Sequence, residues 1–438
     1  MNDSPDLESW IARQYPIAVA NMLRSVSASS IVKRRDGFGQ VIVPAKGSVV
    51  ASPVLASYNP DPDYFFHWYR DSALVMDALR LVGTEEAARH FCDFVDFSLA
   101  LDRLDGGALV KDAAWRRPIA PELQQFVRAD DDLAAAVVRG EARVNPDGSL
   151  DILGWGRPQY DGVATRALTL MRWCRSGRTF GMREDQAIKT LLREDLLFIL
   201  AHWRIPTVDI WEEEKAEHYY TLRVQAAALE FGAGWLEEQG EAEPAQAARD
   251  DAAEIMQRLD AFWVPEAGYF RSRVGKDTDL TKDLDIAVIL AAIHAGGSSS
   301  HSPADARMAA TLDRLDALFE TDYPINRGRP ANRGPALGRY HGDVYYSGGA
   351  YYFSTLAAAE FCFLRACALQ PSDAPQAAAF LARGDAYLRT IRAYTPESGD
   401  MSEQFDKATG VQTSAKHLAW SYAGFISAVA AKQRAERL

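Results

Sequence analysis

Cysteine is scarce in this chain, long hydrophobic runs are missing, and positive charge is in the minority. The four cysteines, Cys92, Cys174, Cys362 and Cys367, are scattered through 438 residues, each inside an apolar stretch. Cys362 and Cys367 stand five apart on one predicted helix and do not face each other squarely. All four therefore read as buried free thiols rather than as disulfides or metal ligands. No apolar run approaches the roughly 18 residues that a spanning helix needs. The N-terminus, MNDSPDLESWIARQYP, has no basic region followed by an apolar one, as a secretory signal would. A reducing cytoplasm is the expected location. Lysine and arginine number 48 against 60 acidic residues, a net charge of −12. No basic stripe is available to neutralise phosphates, which argues against nucleic acid, and an anionic membrane surface is disfavoured for the same reason.

The usual signatures of several chemistries are missing as well. No HExxH or CxxC spacing offers metal ligands. No glycine-rich loop follows a predicted strand to cradle a nucleotide, and no GxSxG marks a serine nucleophile. Neither a metal nor a cofactor is expected. Sequence repeats and low-complexity tails are also absent.

What is present is helical periodicity. Apolar residues recur at helical spacing over 6–29, 71–83, 85–103, 161–177, 185–203, 216–238, 243–261, 281–295, 303–320, 349–368, 373–394 and 413–435. Polar caps at Ser302 to Asp305 and at Ser372 and Asp373 precede two of these runs. The alanine-rich stretches at 226–229 and 356–361 favour closely packed helices. Only GQVIVPA (39–45) and SVVASPV (48–54) look β-like, as a short local hairpin. GGSSSHSP (296–303) is the most linker-like stretch and reads as a surface loop. About twelve helices without a domain boundary allow a bundle, a solenoid, or six hairpins closed into a toroid; a solenoid would show a repeat.

The loops between helices are unlike structural loops. SYNPDPDYFFHWYRDS (57–72), LGWGRPQYDG (153–162), PTVDIWEEE (206–214), RGPALGRYHGDVYYSGG (333–349) and PESGDMSEQFDKATG (396–410) are rich in Trp, Tyr, Arg and Asp. Such loops suit the walls of a binding site. Indole and phenol faces stack on the C–H faces of sugar rings, while Arg and Asp bond the hydroxyls, so the mixture fits carbohydrate. Within them, Glu212, Glu213 and Glu214 read alone as an acidic first helical turn. The adjacent Trp211 offers another reading: an apolar wall that, with neighbouring carboxylates, raises the pKa of Glu212 as a general acid requires. Glu403 is a second candidate, although 191 residues of chain cannot by themselves pair it with Glu212. Asp71 could simply cap a helix, or join Arg70 in binding hydroxyls.

Taken together, five of these segments closely resemble glycoside hydrolase family 15, the glucoamylases: DYFFHWYRDS, WGRPQYDG, DIWEEE with HYYT, GRYHGDVYYSGG and SEQFDKATGVQTSAKHLAWSYA. They run in the family's order from residue 57 to 423. The resemblance implies an all-α (α/α)6 toroid with its site in a funnel at one end. It implies that Glu212 is the general acid, Glu403 the base activating water, and Tyr64 a holder of that water. Trp68, Arg70, Asp71, Trp155, Arg157, Ile210, Trp211, Glu213, Arg339, Asp343, Tyr345 and Trp420 would bind substrate. The implied reaction is inverting exo-hydrolysis of α-glucans or malto-oligosaccharides, which needs unlike environments for the two carboxyls. Trehalase, isomaltose- or dextran-type hydrolysis, phosphorolysis on the same toroid, and a non-catalytic glycan-binding toroid stand as alternatives. The chain departs from the family at Tyr351, where fungal relatives carry tryptophan. A single catalytic domain over 1–438, with neither starch-binding module nor N-terminal β-sandwich, acting as a monomer, is the expectation.

Overall fold

The computed structural model describes residues 4–56, 60–112, 114–275, 280–370 and 372–437. Its helices are α1 (Ser4–Leu23), α2 (Tyr69–Val82), α3 (Glu85–Leu101), the short α4 (Gly106–Lys111) and α5 (Asp130–Ala134), α6 (Asp161–Cys174), α7 (Met182–His202), α8 (Tyr219–Glu238), α9 (Ala242–Asp260), α10 (Ala287–Ala295), α11 (Ala306–Asp322), α12 (Tyr352–Leu369), α13 (Ala374–Tyr394) and α14 (Ala419–Glu436). Setting aside the two short ones, twelve remain, in two concentric rings. In the inner ring α2 packs on α6, α6 on α8, α8 on α10, α10 on α12, α12 on α14, and α14 back on α2. In the outer ring α3, α7, α9, α11, α13 and α1 each pack on an inner partner. This is the expected (α/α)6 toroid.

Sequence pattern sorts helices between the rings. An outer helix needs one apolar stripe, and α9 buries Ala245, Ala248, Ala252, Ile255 and Leu259 at helical spacing. Inner helices are covered on all sides. In α10 every residue except His294 is buried, and α8 and α12 bury the alanine runs 226–228 and 357–359, which let helices approach closely. The same burial explains why α12 is apolar and long enough to pass as a membrane span, contrary to the sequence reading: its apolar surface faces α10, α13 and α14.

Four inner helices begin three to six residues later than periodicity suggests: short strands precede α8, α12 and α14, and a 3-10 turn, Leu280–Lys282, precedes α10. Lys215–His218 lies between Thr207–Val208 and Arg273–Val274, and Gln404–Phe405 lies between Ala350–Tyr351 and Gln412–Thr413. The helix predicted from 6 ends at Leu23. The predicted hairpin is displaced: Lys33–Arg35 pairs with Gln40–Ile42, while 48–54 contributes only a bridge between Val26 and Val49. Only Cys362 is buried; Cys174 is exposed, and Cys92 and Cys367 are half-buried, since they sit where their helices turn toward solvent. In the 296–303 loop, His301 and Ser302 are buried, the His301 ring meeting the Tyr219 hydroxyl at 2.8 Å. Both predicted caps form, through Asp305 and Asp373.

The close contact of α2 with α6 depends on Gly162, where an added Cβ would lie 2.6 Å from Cβ of Tyr69 and 3.0 Å from the amide of Arg70. Gly162→Ala should therefore destabilise the protein by about 1–3 kcal/mol. Gly234→Ala, in an open part of α8 with nothing within 4 Å, should gain about 0.5–1 kcal/mol from helix propensity. Thermal midpoints shifting in opposite directions for the two variants would bear this out.

Candidate active site

The loops that precede inner helices converge on one cavity of about 250 Å³, lined by Ala51, Tyr64, Trp68, Arg70, Asp71, Trp155, Gly156, Ile210, Trp211, Glu212, Glu213, Arg339, Tyr345, Tyr351, Phe353, Glu403, Leu418 and Trp420. That is a little below the roughly 300–1,000 Å³ usual for ligand clefts.

Glu212 sits in a turn built by Asp209. The Asp209 carboxylate accepts the amides of Trp211 (3.1 Å) and Glu213 (2.9 Å), while the Glu212 amide donates to the Asp209 carbonyl at 3.0 Å. Glu212 itself takes a left-handed φ of 65°, uncommon for a residue with a side chain. Its carboxyl receives two indole N–H groups, Trp68 Nε1 at 2.7 Å and Trp155 Nε1. Burial pushes its pKa above the ordinary glutamate value; the charges of Arg70 and Arg143 and the two indoles oppose that rise. Trp211 is not the wall that flanks it. The turn separates the two side chains, and Trp211 Nε1 donates instead to Asp285 Oδ2 at 2.9 Å. Nor do the neighbouring carboxylates press on Glu212. Glu213 is neutralised by Lys282 and Arg339, each at 2.9 Å, and these partners outweigh its partial desolvation, so that its pKa falls below the usual value. Glu214 bonds Arg273 at 2.7 Å.

Arg143 connects the two tryptophans. It pairs with Trp68 across a short antiparallel ladder, and its guanidinium lies 3.8 Å from the Trp155 ring centroid, 3.9 Å from Phe66 and 4.9 Å from Trp68.

Glu403 is held differently. Its Oε2 accepts the Ser414 hydroxyl, and its Oε1 accepts the Tyr64 hydroxyl at 3.2 Å; Tyr64 in turn meets the Tyr345 hydroxyl at 2.8 Å. Glu403 is nonetheless 7% exposed, and burial pushes its pKa up to about 7 against the pull of Ser414, Arg339 and Tyr64. The cause is its place beside the strand Gln404–Phe405, where Tyr352 N and Ala415 O take its backbone groups.

The remaining cavity wall alternates fixed charge with aromatic faces. Arg70 bonds Asp161 (3.2 Å) and Asp71 (3.1 Å). Those carboxylates outweigh its burial and raise its pKa, leaving it a permanent cation. Burial raises the pKa of Asp71, with Arg70 opposing. Trp420 stacks on Phe353 at 4.1 Å and 2°. Two nominated residues stand behind the cavity rather than in it. Asp343 clamps Arg339 with bonds of 2.6 and 2.7 Å, and Arg157 is consumed by Glu141, Asp151 and two carbonyls. The sequence reading did not single out Ala51, Gly156, Phe353, Leu418, Ser414 or Arg143. Only Ser414, in the hydroxyl-rich run after Glu403, carried a signal that could have found it. Among the described residues no cluster of His, Cys, Asp and Glu could hold a metal ion.

The family model described as "Glycosyl hydrolases family 15" matches residues 38–114 and 140–430. A glucoamylase of Blastobotrys adeninivorans is 27% identical over 90% of this chain and 69% of its own length. An intracellular sporulation-specific glucoamylase of Saccharomyces cerevisiae is 25% identical over 98% of this chain and 85% of its own. Among solved structures, the glucoamylase of Hormoconis resinae superposes with a TM-score of 0.78 at 27% identity, covering 98% of this chain and 73% of its own.

The Asp209 turn yields a test independent of any activity. Asp209→Ala should cost about 1–3 kcal/mol by leaving two amides unpaired. Hydrogen exchange should speed up at Trp211 and Glu213 and stay unchanged in the outer helices.

Proposed function

Because the chain belongs to glycosyl hydrolases family 15 and is a glycoside hydrolase of glucoamylase type, we propose that it releases glucose, with inversion, from the non-reducing ends of α-glucans or malto-oligosaccharides, using Glu212 as acid and Glu403 as base. The observation that carries this reading is the pair of carboxyls facing one cavity through unlike partners. Two tryptophan N–H groups meet Glu212, whereas serine and tyrosine hydroxyls meet Glu403.

In this reading Glu212, its pKa raised by burial, keeps a proton for the glycosidic oxygen as the bond to the anomeric carbon breaks. Glu403 takes a proton from the water whose oxygen attacks that carbon from the opposite face, giving β-glucose and a shortened chain. Tyr64 has its hydroxyl on Glu403 and on Tyr345, and so is placed to orient that water. Arg70 and Arg339, each held by carboxylates, serve as fixed donors to sugar hydroxyls; Trp155, Trp211 and Trp420 supply faces for its C–H surfaces. Asp343 acts through Arg339, and Arg157 through the Trp155 loop. The intracellular relative in yeast supports a cytoplasmic location.

Proton NMR of a malto-oligosaccharide digest tests the reading: β-glucose should accumulate first, and α-glucose first would exclude inversion. Glu212→Gln and Glu403→Gln should each lose kcat by at least about 10²-fold. A variant that retains turnover within a few-fold would remove its residue from the mechanism. Ser414 stabilises the ionised base, so Ser414→Ala should raise the Glu403 pKa further. The base must be ionised to act, and the acidic limb of the kcat/KM profile should therefore move to higher pH, with the basic limb unchanged.

A further inference from the structure

Two cations act on Glu212, Arg70 and Arg143, and two indoles donate to it, those of Trp68 and Trp155. Its neighbours Glu213 and Glu214 are paired with Lys282, Arg339 and Arg273. Arg70 is answered by the carboxylates of Asp71 and Asp161. Arg143 is less fully answered. Its Nε bonds Asp151 at 2.8 Å, but both terminal nitrogens are buried without an acceptor, against the faces of Phe66 and Trp155. Arg35, the other cation on the Phe66 ring, is held by Asp63 at 2.8 Å.

From Asp151 a line of charge runs outward. Arg157 Nη2 bonds the same carboxylate at 3.0 Å, Arg157 Nε bonds Glu141, and both Glu141 oxygens take Arg128 Nη1 at 3.0 and 3.1 Å. Arg128 lies outside the family pattern, because the family model passes over residues 115–139. Its backbone is tied to the Trp155 loop: its amide donates to the Ile152 carbonyl at 2.9 Å, and Val127 bridges Leu153 in antiparallel fashion. Arg128, Glu141, Arg143 and Asp151 are buried, and the Arg157 side chain nearly so.

Three guanidiniums thus alternate with two carboxylates, which leaves one buried positive charge in excess. At the outer end Arg128 Nε bonds Asp132 at 2.7 Å, but that carboxylate is 55% exposed and its field is screened by solvent. At the inner end no solvent intervenes, and Arg143 lies on the tryptophans that meet Glu212. Positive charge there favours the ionised carboxyl, whereas a general acid must be protonated to act.

We propose that the line Arg128–Glu141–Arg157–Asp151–Arg143 sets the upper end of the pH range over which Glu212 works as the acid, with Arg143 a positioning residue. The inference rests on the proposed function and assigns part of its pH range to a residue that the family model does not cover.

The test is the basic limb of the kcat/KM profile on maltotriose, measured in single variants along the line. Arg143→Met removes the cation, so Glu212 should keep its proton to higher pH. The limb should rise by about 0.5–1 pH unit, less than the roughly 1–3 that a charge in contact produces. Asp151→Asn leaves Arg143 unanswered, so the limb should fall. Arg128→Gln should raise it and Glu141→Gln lower it, both by less, because they stand further out. The acidic limb should stay in place throughout. Residues that served packing alone would lower kcat or the thermal midpoint without sorting the limb by the sign of the charge removed. An unmoved limb, or a shift in one direction for lost cations and lost anions alike, overturns the inference. Where Arg143→Met or Asp151→Asn fails to fold, as the loss of one partner from a buried pair can cause, the Arg128 and Glu141 variants decide by the same signs. Wild-type turnover in Glu212→Gln is a separate failure, which removes the proposed acid itself.

Discussion

Inner-ring helices point their N-terminal ends at one cavity, and the rest of the site depends on that convergence. Trp68 precedes α2, Trp155 and Gly156 precede α6, the Glu212 turn precedes α8, Arg339 and Tyr351 precede α12, and Glu403 and Leu418 precede α14. The segment before α10 takes part through Asp285, which holds the Trp211 indole. Helix N-termini carry unpaired amides and a partial positive charge. They are therefore the end of a helix at which carboxylates can be buried at least cost. Asp71 and Asp161, both in first turns, exploit this, and together they hold Arg70. The loops are long because each must leave an outer helix, cross the rim and present side chains inward. The toroid makes such loops tolerable, because α2 to α14 are already fixed by packing on their neighbours.

Burial at that end has an electrostatic consequence. Both proposed catalytic carboxyls are removed from water, and burial raises both pKa values. What distinguishes them is the company each keeps. Around Glu212 the opposing charges are Arg70 and Arg143, and the donors are indoles with no acceptor capacity of their own. Around Glu403 the donors are hydroxyls, which can also accept and so can pass a hydrogen bond onward to water. Arg143 is the residue that relates the acid to its surroundings. It is fully buried, its Nε bonds Asp151 at 2.8 Å, and its two terminal nitrogens find no hydrogen-bond acceptor. Aromatic faces from Phe66 and Trp155 solvate them instead, a cation–π arrangement worth about 2 kcal/mol when desolvated. A guanidinium in that position holds Trp155 flat while adding positive potential near Glu212. Asp151 passes the restraint to Arg157, and Arg157 passes it to Glu141 and Arg128. The acid's geometry is thus continuous with the 115–139 segment through buried ion pairs, where losing one partner leaves an uncompensated charge.

The sequence disclosed the helices and the loops that line the cavity because those features are written locally, whereas closure into a toroid came only from the resemblance of five segments to a known family. Helical periodicity marks α9 whatever it packs against, and aromatic, charged loops mark a site whatever their partners. What it could not disclose depends on partners far along the chain. Nothing in DIWEEE says that Glu212 will meet Trp68 and Trp155 rather than its neighbour Trp211. Nothing there says that Glu214 will find Arg273. The expectation that Arg157 and Asp343 bind sugar rests on the segments that carry them, which resemble the family's. Their actual partners, Glu141 and Arg339, decided otherwise by saturating them. The late starts of α8, α12 and α14 have the same origin: residues with helical propensity are drawn into ladders with strands that no local pattern reveals.

The turn at Glu212 shows how these levels meet in a single residue. A left-handed backbone at a residue with a side chain costs of the order of 1–2 kcal/mol, so the chain must hold it by other means. Asp209 supplies two bonds to backbone amides, its own amide donates to the Glu214 carbonyl, and Arg273 bonds the Glu214 carboxylate while lying 3.6 Å from Asp209. The consecutive acidic residues therefore divide by direction rather than by charge. Reversing φ at Glu212 turns its carboxyl toward two indoles, while Glu213 and Glu214 diverge to separate cations. Each cation removes one carboxylate from the field at Glu212. What remains to set the pKa of Glu212 is burial, opposed by Arg70 and Arg143 at a distance and by two N–H donors in contact. An acidic cluster becomes one carboxyl buried against indoles and two held in ion pairs because its cations sit where a strained turn directs them.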